Sequence, residues 1–269
     1  MNSIPKEETI RVLVRTAVES YAQGFRARHE AEVDNPDGII NMKIHNVFIE
    51  ALGKEIQYYA ALVRSLDSSL GNMLESLAIN IAGLSFEVKR NVQGPLSAEQ
   101  TGKIAELLEK YKRHEKKPEI IDYQLLRSVT QKKATQIKRH DSDYYLIDKR
   151  TDSHYLIELK IGGDLDNKKA RSEKEAILEQ YAILSNILPS DRKITIYFAT
   201  AYNRFGENKP WRQERVRQFF ADEELLIGKD FWNFICQSEK GYKTVLEAYR
   251  KSAYLIKDAL DSIKKIYLG

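Results

Sequence analysis

The sequence predicts an α/β (α+β) fold, a mixed central sheet flanked by helices, with a helical N-terminal region and a helical C-terminal tail. Three observations carry that expectation. Apolar positions near the start recur at roughly helical spacing, as in Ile10, Val12, Leu13, Ala17 and Tyr21. Two short runs rich in Tyr, Leu and Ile, residues 143–149 (DYYLIDK) and 154–161 (HYLIELKI), flank a polar turn. A third run, ITIYFAT at 194–200, is apolar enough for a central strand. No internal repeat is visible, so residues 1–269 are expected to form one domain: a mainly helical part at 1–115, a sheet core at 116–210 and a helical part at 211–269.

Taken in order, residues 6–28 read as a first helix, and VDNPDG at 33–38 as a turn, since Asn-Pro and Asp-Gly both interrupt regular structure. A second helix is expected over 42–65. Ser68 and Ser69 then read as N-caps of a third helix, 70–82. Residues 86–88 suggest a short strand, and Ser97 with Gln100 after Pro95 opens a helix to about residue 112. After the hairpin, Gly162 and Gly163 stop the strand, and a helix runs from about 169 to 188 before Pro189. FWNFICQ at 231–237 reads as a core helix, after a turn at Gly228.

Composition excludes several classes. The chain has 13 Gly and 6 Pro, and 42% of it is hydrophobic, which is not the profile of a collagenous or disordered protein. One cysteine, Cys236, cannot build a disulfide framework or a multi-cysteine zinc site, and fits a reducing cytoplasm. No apolar run approaches the ~18 residues of a membrane span, and the first residues lack a signal-peptide pattern. No membrane and no nucleotide cofactor are expected, because neither a phosphate-binding loop nor a dinucleotide fingerprint is present. The formal net charge is +4, too weak on its own to name a nucleic-acid partner. Residues 1–100 hold 10 basic and 13 acidic side chains whereas 101–150 hold 13 and 8, so the basic excess lies around the hairpin, where it could equally be a solvated surface.

The chemistry concentrates in that hairpin. Strands alternate faces with period two, so Ile157, Leu159 and Ile161 share one face and Glu158 and Lys160 the other. Charges on an otherwise buried strand must be paired or must coordinate something. Asp143 opens the preceding strand, and in an antiparallel hairpin its position falls beside Glu158 and Lys160. Two adjacent carboxylates repel unless a divalent cation holds them, and an oxygen-rich site with open water positions suits Mg²⁺. Such a site can hydrolyse phosphodiesters: Asp143 and Glu158 as metal ligands, Lys160 to orient water or stabilise negative charge, and the Leu159 carbonyl as an added ligand. The bland alternative is a surface hairpin with a weak Glu158–Lys160 ion pair.

Asp143, Glu158 and Lys160 resemble the motif of the PD-(D/E)XK nuclease superfamily, where an Asp precedes a strand pair bearing Glu-x-Lys. The stretch FIEALGKEIQYYAALVRSLDSSLGNMLESLAINIA (48–82), with DSDYYLID and YLIELK, resembles TdeIII-type type II restriction endonucleases over roughly residues 40–190. The resemblance implies a restriction-endonuclease-like fold, Mg²⁺-dependent cleavage of double-stranded DNA at a short symmetric site (GGNCC-like), 5′-phosphate and 3′-hydroxyl ends, and a homodimer. One departure is that no Pro precedes the Asp; Ser142 stands there, which makes Asp141 a rival for the first carboxylate. Asp148 falls at the turn end, away from Lys160. A helix before the sheet often supplies a further acidic ligand in this superfamily, and Glu75, beside the stripe Leu70, Leu74, Leu77, Ala78 and Ile81, fits it. A junction-resolving nuclease of the same fold and a non-catalytic DNA-binding protein are the competing readings.

DNA contacts are expected from two loops. Lys168 and Lys169, in GGDLDNKKARSEK, could reach phosphates, although Asp164 and Asp166 nearby weaken that. Residues 201–218 interleave Asn203, Arg204, Asn208, Lys209 and Arg212 with Tyr202, Phe205 and Trp211. That is the side-chain chemistry for base edges, or else a surface loop closed by a packed Trp. Gln180, on the helix after the hairpin, could point at the site. His140 and His154 flank the hairpin and read as surface histidines.

Overall fold

The computed structural model describes residues 5–127 and 136–269, and of Asp143 the backbone alone. Its elements are α1 (Lys6–Ala31), α2 (Val47–Glu50), α3 (Lys54–Ala82), β1 (Phe86–Leu96), α4 (Ala98–Lys112), α5 (Gln124–Arg127), β2 (Gln136–Asp148), β3 (His154–Leu159), α6 (Asn167–Ile187), β4 (Ile194–Thr200), α7 (Glu214–Arg217), β5 (Leu225–Ile227), α8 (Lys229–Cys236) and α9 (Gly241–Leu268). The chain forms two compact units, Met1–Asn80 with Lys243–Gly269, and Ile81–Tyr242. Among the described residues no helix is long and apolar enough to cross a membrane.

The first unit is helical. Ile10, Val14, Val18, Ala22, Phe25 and His29 form one buried stripe along α1, each three or four residues after the last. Glu7 and Glu8 in its first turn and Arg28 in its last complement the helix dipole. Phe25, Tyr58, Ala61, Leu62, Ile263 and Tyr267 make a core from α1, α3 and α9. Here the expected break at Ser68 and Ser69 is corrected: α3 runs unbroken through both. The Ser69 hydroxyl donates back to the Ser65 carbonyl at 2.6 Å, which satisfies a serine inside a helix without ending it. The helix begins at Lys54, and residues 41–50 form only short helical turns.

The second unit is a five-stranded sheet in the order β1-β2-β3-β4-β5, described among the residues placed. β1, β2 and β3 are antiparallel neighbours, while β3, β4 and β5 run parallel. The mixed sheet flanked by helices is therefore as expected. On one face α4 and α6 bury Ile104, Leu108, Ile177, Leu178 and Tyr181 against Leu156, Ile196 and Phe198. On the other, Phe234 of α8 stacks on Phe86 at 5.5 Å and meets Tyr155 and Tyr197 edge-on, so FWNFICQ is the core helix its sequence suggests. Gly94 lets α6 approach β1, since a Cβ there would lie 2.8 Å from Ile183 Cγ2. Two strands are longer than their apolar runs: β1 extends to Leu96 and β2 begins at Gln136. Pairing with each other carries the polar positions of those extensions, while Val92 and Leu96 of β1 are also buried in the core.

Candidate active site

The site is assembled where β2 ends its pairing with β3. The β2–β3 ladder runs from Ile147↔His154 to Tyr144↔Ile157. Continued by one residue, that register would set the backbone of Asp143 opposite Glu158. On its other edge β2 is irregular at the same place: Lys89 pairs with Tyr145 and Asn91 with Asp141, so residues 142–144 bulge against Arg90. The bulge shifts the side-chain alternation. Lys138 and His140 reach Glu179 of α6 at 2.9 and 2.8 Å, and beyond the bulge Tyr145 and Ile147 also join the core on that face. The side chain of Asp143 lies outside the described residues.

Glu158 is buried at the carboxyl end of β3, with its side chain 10% exposed, and accepts a hydrogen bond from the Lys160 ammonium. Lys160 lies one residue past the strand. Its backbone stays fixed, because its N–H donates to the Ala199 carbonyl of β4 at 3.0 Å. Its ammonium also meets Glu173 of α6 at 3.2 Å. One cation thus bridges two carboxylates while its side chain remains 31% exposed. Glu173 was not legible in the sequence, where it is one of several acidic residues in RSEKEAILE. Seven residues further along α6, on the same helix face, Gln180 is buried, and its Oε1 has no hydrogen-bond partner among the described residues. Among those residues no group of three or more His, Cys, Asp and Glu side chains is placed to hold a metal. Glu158 and Glu173, which share the Lys160 ammonium, present hard oxygens of the kind that hold Mg²⁺.

The rival carboxylates separate clearly. Asp141 is 93% exposed and touches only Arg139, at 4.0 Å, among the described contacts. Asp148 is buried at the turn. Burial opposes its ionisation, but the Arg150 and Thr151 N–H groups that it accepts, with the Arg150 guanidinium, hold its carboxyl below the usual range. His154 is no surface histidine: it is buried, with Nδ1 2.8 Å from the Tyr145 hydroxyl. Glu75 belongs to the first unit, half-buried on α3.

Beyond Lys160 the chain turns sharply. Gly163 adopts φ +64°, and a Cβ there would sit 2.7 Å from Thr200 Cγ2. Because β3 and β4 are parallel, the loops after both leave the sheet at the same edge, the usual position of ligand sites in such sheets. The loops are tied together. Arg204 pairs with Asp164 at 2.7 Å, and Gln213 donates to the same carboxylate at 3.0 Å. The Arg204 hydrogen bond holds the Asp164 carboxyl below its ordinary range. Asn203 shapes its loop, donating to the Lys209 carbonyl at 2.7 Å and accepting from the Phe205 N–H. Asn208 has positive φ, Lys209 is exposed, and the exposed Arg212 guanidinium lies 5.3 Å over the Phe205 ring. Lys168 and Lys169 are exposed in the first turn of α6, whose N-cap is already Asp166, accepting from the Lys169 N–H at 2.7 Å. Their ammonium groups, not the helix terminus, are what remains for an anion.

A second buried cluster also escaped the sequence reading. Lys174 of α6 is fully buried and donates to both Glu224 oxygens at 2.8 and 2.7 Å, and to Tyr123. The signal was present: Lys174 falls in the apolar stripe Ala170, Ile177, Leu178 and Tyr181.

Comparison with known proteins follows the same line. A family model described as "Type II restriction endonuclease, HinfI" matches residues 7–253. The TdeIII resemblance is not confirmed, but the wider class it implied, type II restriction endonuclease, is. No curated protein matches the chain, and no solved structure does.

Proposed function

The chain belongs to the HinfI family of type II restriction endonucleases, and is thus a site-specific deoxyribonuclease; from that premise we propose that Asp143, Glu158 and Lys160 cleave double-stranded DNA with Mg²⁺ at a short symmetric sequence. The observation that carries the reading is the ammonium of Lys160, held against Glu158 and Glu173 at the carboxyl edge of the sheet and still open to solvent.

Type II restriction endonucleases generally use divalent metal ions. In this chain Asp143 and Glu158 would hold the ion, and when bound it supplies positive charge at the scissile phosphate and acidifies water. Lys160 does the rest within reach of the phosphate: its ammonium orients the attacking water and stabilises the charge that develops on phosphate oxygen. Glu158 and Glu173 fix that ammonium in place before substrate arrives. Hydrolysis leaves 5′-phosphate and 3′-hydroxyl ends. Lys168 and Lys169 contact the backbone, while Asn203, Arg204, Asn208, Lys209 and Arg212 read base edges.

A two-fold symmetric target calls for two sites related by a dyad, hence a homodimer. Ile44, Val47, Phe48 and Leu52 support this: all are exposed in a short stretch, Phe48 by 84%. Action on DNA and a buried cysteine outside any disulfide, Cys236, fit a cytoplasmic protein.

The test is to incubate the protein with unmethylated phage DNA, with Mg²⁺ or with EDTA. Discrete fragments with Mg²⁺ alone are expected. Their sequenced ends read the target directly, including whether it is GGNCC-like, and their direct religation checks the end chemistry. A smear would point to a structure-directed nuclease, and intact DNA across several metals would overturn the reading.

A further inference from the structure

The first unit contains a recess that the active site does not use. Three cations line it, Arg28 of α1, Lys43 before α2 and Arg64 of α3, and no carboxylate does. This is not the composition of the surrounding chain, since residues 1–80 hold 11 acidic side chains against 8 basic ones. Neutral donors, Ser68 and Asn72, stand beside the cations, and Ile39, Met42 and Ala61 make an apolar floor. The volume, about 520 Å³, is that of a small-ligand site.

The cations are set for an anion rather than for one another. Arg28 is preorganised: its Nη2 donates to Ser65 Oγ at 2.7 Å, and its guanidinium lies 5.3 Å over the Phe25 ring. Lys43 and Arg64 have no ion-pair partner among the described residues. Like charges gathered without a carboxylate repel until a counter-charge joins them. Arginine presents a planar fork that matches two oxygens of a phosphate, and lysine adds a point charge. We infer that this recess binds a phosphate group of the DNA backbone, a sequence-independent contact made by the helical unit. The inference rests on the chain acting on DNA, and concerns residues outside the candidate active site.

The test is the full-length Lys43→Gln/Arg64→Gln variant, which removes two charges that hold no described structural contact. Binding of a fluorescent duplex is measured in EDTA across a range of salt, beside a thermal melt. Neutralising one phosphate contributes about 0.9 to the slope of log affinity against log salt, so the variant's slope should be shallower by about one. Its affinity at low salt should fall about tenfold with melting unchanged. An unchanged slope and affinity would overturn the inference. Inorganic phosphate and a mononucleotide, added separately, distinguish the source. If they protect the wild type and not the variant against melting while duplex binding is the same for both, the recess takes a free phosphate and the DNA assignment fails. A wild type that binds no duplex would sink the DNA reading itself, and the recess with it.

Discussion

Two lysines in the second unit, Lys160 and Lys174, meet their acidic partners in opposite ways. Lys160 bridges Glu158 and Glu173 and keeps its side chain 31% exposed. Lys174 is sealed at 0% exposure by Glu224 and Tyr123, with the Tyr123 and Phe220 rings 4.6 and 4.5 Å from its ammonium. Both clusters draw on α6, since Glu173 and Lys174 are consecutive and project about 100° apart around the helix. One face of that helix therefore meets an accessible lysine and the next carries a sealed one. Solvent access makes the difference: a reacting phosphate and water can enter the first cluster and not the second.

The comparison breaks most sharply on activity. Lys160→Ala removes an ammonium whose side chain is 31% exposed, so water can enter the vacated space beside Glu158. Cleavage should fall by about 10²–10³ or more, the usual cost of removing a group that stabilises developing charge, with melting and duplex binding retained. Rates on a plasmid with a mapped site check this, and wild-type turnover by the variant would remove Lys160 from the mechanism. Glu173→Gln should lower the rate less, since Glu158 still holds the ammonium.

Stability should show the reverse order. Lys174→Met leaves the Glu224 carboxylate buried beside Tyr123, and breaking one partner of a buried pair costs about 3–5 kcal/mol. Lys174→Met with Glu224→Gln should recover over half of that loss. Gln can keep its carbonyl oxygen on the Ala221 N–H and donate its amide N–H to the Tyr123 hydroxyl oxygen, so that both groups Glu224 now satisfies remain bonded. Urea unfolding at neutral pH measures both. A single variant as stable as the wild type would mean that Lys174 carries no charge in the folded chain.

What the sequence disclosed follows the range of each signal. The hairpin was legible because apolar alternation and its polar turn are local, and Glu158 and Lys160 came with it. The core helix at Phe231 and Trp232 was legible for the same reason. The break imagined at Ser68 and Ser69 misled because the bond that keeps Ser69 helical reaches back only one turn and leaves no mark in composition. The full lengths of β1 and β2 were hidden, since residues such as Lys89, Arg139 and His140 pair through backbone and not through burial. Glu173 and Glu224 were hidden more deeply, because each gains its meaning from a lysine far away in the chain or on another element.

The loop after β4 offers a smaller contrast within one ion pair. Arg204 and Asp164 are both exposed, and an exposed pair is worth about 0–1 kcal/mol. If Arg204 reads a base, Arg204→Ala should cost about 1–3 kcal/mol of cognate discrimination, roughly ten- to hundredfold in cleavage. Asp164→Asn should cost only a few-fold, because it loosens the loop and spares the reader. Equal losses in the two variants would make Arg204 a brace between loops rather than a contact to DNA.

The smallest effect concerns pH, and it sets one histidine in each unit side by side. Burial lowers the pKa of His154 below 6.5; Asp152 and Glu87 oppose the shift, while Lys89 and Arg192 add to it. Burial likewise lowers that of His29, helped by Arg28 and opposed by Glu32. With the folded value depressed, the unfolded chain takes up the proton first. The stability each histidine contributes is therefore present above pH 6.5 and is lost as pH falls through the folded value. His154→Gln keeps a partner for the Tyr145 hydroxyl but cannot titrate, so its melting temperature should decline less than that of the wild type between about pH 7 and pH 5. The carboxylates are common to both chains and cancel in the difference. A steeper decline in His154→Gln would mean that the imidazole is protonated in the folded chain, and that Asp152 and Glu87 outweigh its burial.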